Sequence, residues 1–312
     1  MKPVLRVVEP GLFTTIQDLG RPAAIAAGVP PGGAMDRFAH RAANLLAGNS
    51  PQDATLECTM NGPHLVAEEP CMVAVTGADF EARINGAPAP MWTATFLGRG
   101  DRLTFGGRRS GARAYIAVGG GLDGDRWLGS RSTSLMAGRG GMHGRTLAKG
   151  DLLSTAAERS APAVAGRHLP PDLRPSYSDH ALHTMPGPHL RRLDAESRKL
   201  LFSAVFTVSR DADRMGYRLE GPALATSGDE LLSFGLVTGA VQVPRSGQPI
   251  LLMADHQTAG GYPVVAVVIS ASMPIAAQLA PGETVRFVQA TAAEAKRRRF
   301  ALSSALATLS TP

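Results

Sequence analysis

A mainly β fold with a few short helices, arranged as two associated halves, is what this sequence predicts, and three observations predict it. Glycine and proline are abundant, at 35 and 23 of 312 residues, which argues for many turns and short strands rather than long helices. Short β-prone runs recur at close spacing between residues 64 and 118, the pattern of a sandwich or barrel. Two distant segments echo each other: Gly100-Asp101-Arg102-Leu103-Thr104-Phe105 and Gly282-Glu283-Thr284-Val285-Arg286-Phe287 are each a turn followed by an alternating strand.

In chain order, Asp36 reads as the N-cap of a helix over residues 37–47. Its apolar face is Phe38, Ala42, Leu45 and Leu46, and Gly48 is its stop. Strands are expected at 64–67, 72–76, 80–84, 92–97, 102–105 and 112–118. Asn85-Gly86 is a type I′ hairpin signal. Residues 156–180 carry Pro162, Pro170, Pro171 and Pro175 with few large apolar side chains. They read as a linker or long excursion between an N-terminal half, 1–155, and a C-terminal half, 181–291. A short helix is expected near 195–202, and 292–312 reads as a basic helix and tail. Between them, apolar runs at 239–243 and 249–253 flank the turn Pro244-Arg245-Ser246-Gly247, giving strand, turn, strand.

Composition excludes several function classes. The formal charge is +6, but Lys296-Arg297-Arg298-Arg299 supplies four of these charges and the remainder is near balance. With no aromatic interleaving and no second basic cluster, this run reads as a solvated helix face and not as a nucleic-acid patch. The start lacks the apolar core of a signal peptide, and the long uncharged segment 260–281 is broken by Gly, Pro and Ser, so no membrane span is expected. Cys58 and Cys71 lack metal-ligand spacing and fit free thiols in a reducing cytoplasm. No zinc, calcium or P-loop pattern is present, and no G-x-S-x-G signature of a serine hydrolase.

Five clusters combine polar residues with glycine. They are Thr14-Thr15-Ile16-Gln17-Asp18-Leu19-Gly20-Arg21, residues 28–36, Leu128-Gly129-Ser130-Arg131-Ser132-Thr133, residues 211–219 around Asp213-Arg214, and residues 239–263. In the last, Asp255-His256-Gln257-Thr258 follow a strand and precede Gly260-Gly261-Tyr262, a loop held by a rigid sheet. Each has a bland reading beside a functional one. The 255–262 loop is equally a polar surface turn. Asp18 with Arg21, and Asp213 with Arg214, are candidate structural ion pairs. Ser130–Thr133 is either a turn with hydroxyls bonded to backbone or an anion cradle. Asp36 reads foremost as a helix cap and His256 as a loop residue.

Taken in this order, the clusters resemble the family variously called allophanate hydrolase subunit 2 or biotin-dependent carboxyltransferase. That family includes the C subunit of bacterial 5-oxoprolinase and part of the carboxyltransferase domain of urea carboxylase. The matching stretches are residues 15–21, 28–49, 129–151, 213–221 and 242–263, followed by Ala277-Gln278-Leu279-Ala280-Pro281-Gly282. Together they span nearly the whole chain, without the 156–180 segment. The resemblance implies a cyclophilin-like β-barrel architecture. It also implies a homologous carboxyltransferase-type partner (the B type of subunit) and, in the oxoprolinase, a lactam-utilisation-type partner (the A type of subunit). This chain departs from the pattern in the loop Pro22-Ala23-Ala24-Ile25-Ala26-Ala27, at Gly32 where Ser is usual, at Ala259 where Thr is common and at Ser272 where Asp is common.

The function this implies is that of a subunit of an ATP-dependent 5-oxoprolinase, a cytoplasmic hydrolase opening a cyclic amide to glutamate, with ATP bound by a partner. Carboxyl transfer from biotin to a urea-like or amide acceptor is the alternative, and a non-enzymatic regulatory module the third reading. Opening an activated lactam needs oxyanion donors, a cation for the substrate carboxylate and a group to position water. Asp255, Gln257 and Asp213 are the catalytic candidates. Arg214, Gln242, Thr258, Tyr262, Gln17, Asp18, Arg21, Arg131 and Ser132 are the substrate-binding candidates, and no metal ligands are expected.

Overall fold

The computed structural model describes residues 2–157 and 164–310. The chain forms two compact units. The first comprises Met1–Arg21, Gly32–Arg174 and Leu302–Pro312, and the second Pro22–Pro31 and Pro175–Ala301. Of the segment read as a linker, 158–163 lies outside the described residues. Its described remainder includes a buried Leu169 and a 3₁₀ turn at Pro171–Leu173.

In the first unit, β1 (Leu5–Glu9), β2 (Phe13–Gln17), β3 (Thr55–Thr59), β4 (His64–Ala67), β5 (Cys71–Asp79), β6 (Ala82–Ile84), β7 (Ala87–Pro88), β8 (Ala94–Leu97), β9 (Arg102–Phe105), β10 (Ser110–Val118) and β11 (Leu152–Leu153) form two sheets. Their orders are β11-β1-β4-β9-β6-β7 and β2-β3-β10-β5-β8. Leu5, Leu65 and Leu103 of one sheet and Ile16, Leu56, Val73 and Ile116 of the other enter one shared core. Each such side chain contributes about 1.5–3 kcal/mol through burial. The hairpin β6–β7 turns at Asn85 (φ 52°) and Gly86 (φ 83°), the paired positive φ values of a type I′ turn.

Helix α1 (Arg37–Leu46) packs on β5 and β10 of this unit. The Asp36 carboxylate accepts from the Phe38 and Ala39 amides, so its capping role is as expected. β5 runs from residue 71 to 79 where the alternation suggested 72–76. It is buried along both faces, because the core lies on one side and Thr76 donates to the Ala39 carbonyl of α1 on the other. A strand covered on both sides loses the alternation that marks its ends. Positive φ at Glu81 (55°) and Trp92 (59°) delays the next strands to residues 82 and 94.

The second unit is built on a closed barrel. Its strands are β12 (Ala181–Pro186), β13 (Phe206–Val208), β14 (Gly216–Glu220), β15 (Phe234–Gly235), β16 (Ala240–Gln242), β17 (Ile250–Leu252), β18 (Ala259–Gly260), β19 (Val264–Val268) and β20 (Thr284–Gln289). The barrel closes in the order β12-β19-β16-β17-β14-β13-β20, with β15 and β18 paired apart from it. Every barrel pair is antiparallel except β12 with β20. The expected strand-turn-strand at 239–253 is β16–β17, in register Val241↔Leu251. Tyr217, Leu219, Val241, Leu251, Phe206 and Phe287 are buried here.

Three helices complete the described chain: α2 (Ala195–Ser203), α3 (Met273–Gln278) and α4 (Ala292–Ala307). α2 is capped by Asp194, and α4 starts in a reciprocal Thr291/Glu294 capping box. Lys296, Arg297, Arg298 and Arg299 on α4 are exposed, as a solvated helix face requires. Among the described residues no helix is long and apolar enough to cross a membrane. The mainly β fold with few helices is as the sequence predicts.

Candidate functional site

The twelve sequence candidates fall into two sets. Gln17, Asp18, Arg21, Arg131 and Ser132 belong to the first unit. Asp213, Arg214, Gln242, Asp255, Gln257, Thr258 and Tyr262 belong to the second.

In the first unit Asp18, just beyond β2, is the centre of the set. One carboxylate oxygen accepts from the Gly20 amide (2.7 Å) and from the hydroxyls of Ser130 and Ser132 (2.6 Å each). The other accepts from the Arg131 amide at 2.6 Å. The Ser130–Thr133 turn is thus an anion cradle, and the anion it holds is the chain's own Asp18. Arg21 does not form the local ion pair with Asp18 that the sequence suggested. Its guanidinium lies 4.8 Å from the Trp127 ring centroid and donates to the carbonyls of Trp127 and Ser132. Arg131 binds Asp123 through Nε and Nη2 at 3.1 and 3.0 Å. Gln17 donates to Thr15 (3.0 Å), and its buried Oε1 has no partner among the described residues. This is a pre-tightened polar knot, in which Asp18, Arg21 and Arg131 are each already bonded within the chain.

Beside it lies a buried ionisable group of residues that sequence reasoning missed. Cross-strand register places Glu57 of β3 opposite Tyr115 of β10. The Glu57 carboxylate accepts from the Tyr115 hydroxyl (2.7 Å) and the Met35 amide (2.8 Å), and the Asp36 amide donates to the Tyr115 oxygen at 2.7 Å. Burial, then the neighbouring Glu57 and Asp36 charges, hold the Tyr115 hydroxyl well above its usual range. His40 on α1 is fully buried against Thr55 (2.9 Å), and burial pushes its pKa down to about 3. The only local signal was the alternation of β3 and β10. It marks these positions as buried but not as bonded to each other.

In the second unit the two candidates farthest apart in sequence meet directly. Arg214 Nε and Nη2 bind the two carboxylate oxygens of Asp255 at 2.8 and 3.1 Å. Arg214, expected to hold a substrate carboxylate, is therefore committed to one from its own chain. Asp213, read as its structural partner, instead accepts from the Met215 and Gly216 amides and shapes the turn into β14. Gln257 donates to Gln242 (3.3 Å), and Gln242 donates to the Tyr262 carbonyl (3.4 Å). Together they form an amide ladder along the 255–262 loop. His256 is buried. Its Nδ1 donates to the Gln257 carbonyl at 2.6 Å, and its Nε2 has no partner among the described residues. Burial lowers its pKa, so the ring is neutral. Thr258 serves through its backbone, accepting from the Leu236 amide at 2.9 Å.

The loop ends at a cleft of about 680 Å³ confined to this unit. Gly261, Tyr262 and Pro263 form part of one wall, and Arg192, Arg218 and Arg245 supply the cations. A Cβ on Gly261 would lie 2.8 Å from the Leu231 carbonyl oxygen, so the second glycine is what lets the two walls approach. Of the twelve candidates, only Tyr262 lines this cleft.

Barrel, two-sheet unit and polar loops together define a carboxyltransferase-type chain. It belongs to the family described as carboxyltransferase domain, subdomain A and B, whose model matches residues 27–289. It is 38% identical over 300 residues to the C subunit of 5-oxoprolinase from Escherichia coli, covering 95% of this chain and 94% of that protein. It is 31% identical over 325 residues to the urea amidolyase of Lachancea kluyveri, covering 97% of this chain but 18% of that protein. The crystal structure of the K. lactis urea amidolyase superposes with a TM-score of 0.92 at 29% identity, covering 99% of this chain and 20% of that one.

Proposed function

We propose that this chain is a subunit of an ATP-dependent 5-oxoprolinase, working with a homologous partner and a lactam-utilisation-type subunit in the cytoplasm. The observation that carries the reading is the end-to-end match: the chain covers 94% of a protein named as the C subunit of 5-oxoprolinase, against 18% of a urea amidolyase. The net reaction takes two waters, one adding across the ring amide to give glutamate and one releasing phosphate as ATP goes to ADP.

ATP is assigned to a partner. N-terminal amides that could cradle a phosphate on the long helices are taken by the chain's own side chains: the carboxylates of Asp36 on α1 and Asp194 on α2, and the Thr291 hydroxyl on α4. Bound on the partner, ATP supplies the phosphoryl group that activates the lactam carbonyl.

This chain contributes donors and fixed charge. The Gln242–Gln257 ladder presents side-chain amides joined by long bonds of 3.3 and 3.4 Å, and such amides can turn toward a developing oxyanion. Asp255 is steered by Arg214 into one orientation, as a group positioning water must be. Carboxyl transfer to a urea-like acceptor is the second reading, favoured by the 0.92 TM-score to a urea amidolyase.

Reconstitution separates them. Co-expressed with the homologous and lactam-utilisation-type subunits, the chain should convert 5-oxoproline to glutamate with ATP consumed, and alone it should not. Bicarbonate-dependent carboxylation of urea in the presence of a biotin carboxylase, with no lactam opening, would establish the second reading instead.

A further inference from the structure

The cation that the sequence offers for a substrate carboxylate, Arg214, is occupied by Asp255 at 2.8 and 3.1 Å. Two turns of the β alternation further on, Arg218 is not. It lies on β14, where Tyr217 and Leu219 are buried and Arg218 is exposed on the outer face of the barrel wall. Its position is fixed by the ladder, with Arg218 opposite Ile250 of β17 and the neighbouring Leu219 opposite Val208 of β13. Its guanidinium has no hydrogen-bond or ion-pair partner among the described residues, so five N–H donors in a planar fork are open to a ligand.

The surroundings are those of a built cleft. Arg218 faces the cleft of about 680 Å³, within the size range of small-molecule sites. The other two cations are partly committed: Arg192 donates to the Asp229 carbonyl at 2.5 Å, and Arg245 pairs with Glu230 at 2.7 Å. The loop carrying Asp229 wraps Arg192 closely. At Gly228, with φ +92°, a Cβ would stand 3.3 Å from the guanidinium carbon. Ser246 and Tyr262 add hydroxyls to the lining, and Tyr262 belongs to the amide-ladder loop. The cleft therefore combines one free guanidinium, two tethered ones, the carboxylates of Asp229 and of Glu230, the latter already paired with Arg245, and neutral hydroxyl donors. That set suits a planar carboxylate gripped on two oxygens.

We propose that this cleft binds a small carboxylate ligand, with Arg218 gripping the carboxylate. That the ligand is the lactam acid or its glutamate product rests on the function proposed above. Arg218 is then a substrate-holding residue, and Arg214 the residue that positions the loop beside it.

Calorimetric titration of the full chain with 5-oxoproline, with glutamate and with neutral 2-pyrrolidinone tests this. The two acids should bind, and the neutral lactam should bind about tenfold more weakly or not at all. Arg218→Gln should weaken the acids by about tenfold or more, and Arg218→Lys by less, since it keeps the charge and loses the fork. Arg286→Gln, an outward arginine on β20, should change nothing. In the reconstituted complex, Arg218→Gln should raise the KM for 5-oxoproline by about tenfold with kcat little changed. Lactam opening with a KM unmoved by Arg218→Gln overturns the Arg218 assignment and leaves the proposed function standing. Arg218-dependent binding of glutamate in a complex that never opens the lactam keeps the carboxylate site and removes the proposed substrate. No binding of either acid up to about 10 mM, well above the usual range of substrate constants, overturns the site itself.

Discussion

Arg214 and Asp255 grip each other through two parallel hydrogen bonds, 2.8 and 3.1 Å long, across 41 residues of chain. The pair ties the turn before β14 to the loop after β17, and the Asp255 amide also donates to the Arg214 carbonyl at 2.8 Å. The arginine side chain is 9% exposed and the aspartate 23%, so the contact is shielded well beyond a surface ion pair. It anchors the segment on which Gln257 and Tyr262 depend.

Removing that anchor should therefore act on stability first. Asp255→Ala strips the carboxylate from a buried guanidinium and should cost about 2–4 kcal/mol, the lower end reflecting the exposed side of the aspartate. Urea unfolding measures it. A midpoint equal to wild type would show the pair to be dispensable. Asp255→Asn keeps the shape and should lose less stability, so activity lost in it beyond that loss reports on chemistry.

Asp18 should be the most sensitive residue of the first unit. Its carboxylate accepts four bonds, from Gly20, Ser130, Arg131 and Ser132. Asp18→Asn turns one acceptor into a donor facing donors and should destabilise by about 2–4 kcal/mol. Amide hydrogen exchange reads the same event locally. The Arg131 amide, now 2.6 Å from a carboxylate oxygen, should lose its protection before the β3 and β10 amides do.

Acid should weaken the first unit through His40. Burial is the main cause of a folded-state pKa near 3, with Arg41 and Arg37 adding to the lowering and Asp18 and the Pro51 backbone opposing it. The unfolded chain protonates this ring near pH 6.5, so the unfolded state binds the extra proton between pH 6.5 and about 3. Stability from this group is complete above pH 6.5 and falls with decreasing pH, by about 1.4 kcal/mol per pH unit once below it. The slope should be visible as the difference between wild type and His40→Gln. Identical pH profiles for the two proteins would remove His40 from the acid response.

Gly261→Ala should disturb the cleft without touching a charged group. The added Cβ would stand 2.8 Å from the Leu231 carbonyl oxygen, a backbone atom that yields only if the 226–231 loop moves. A destabilisation of about 1–3 kcal/mol is expected. Amide chemical-shift changes should concentrate at residues 226–231, and shifts confined to the immediate neighbours of residue 261 would mean that the approach is not tight.

Some features were legible because they are local. The Asp36 cap, the helix it starts and the Asn85-Gly86 hairpin each need only a few adjacent residues, and all lie where the sequence puts them. The β16–β17 hairpin was legible for the same reason. The ends of β5 were not, because burial on both faces erases alternation. The polar clusters were legible as clusters. Their partners were not: Asp18 looked three residues ahead to Arg21, yet three of its four donors lie 112–114 residues away. Arg214 looked back to Asp213, yet its carboxylate lies 41 residues on.

The sequence by itself determined the β character, the turns, the helix caps and the loops where polar groups gather, since each follows from periodicity and backbone preference over a few residues. Only the tertiary structure decided which charges are spent on one another and which remain open. Closing the barrel brings Arg214 to Asp255 and leaves Arg218 facing a cleft. Pairing β3 with β10 buries Glu57 beside Tyr115. A charge buried with a partner and the same charge left facing solvent are identical in sequence, and only the strand pairing that sets their distance separates them.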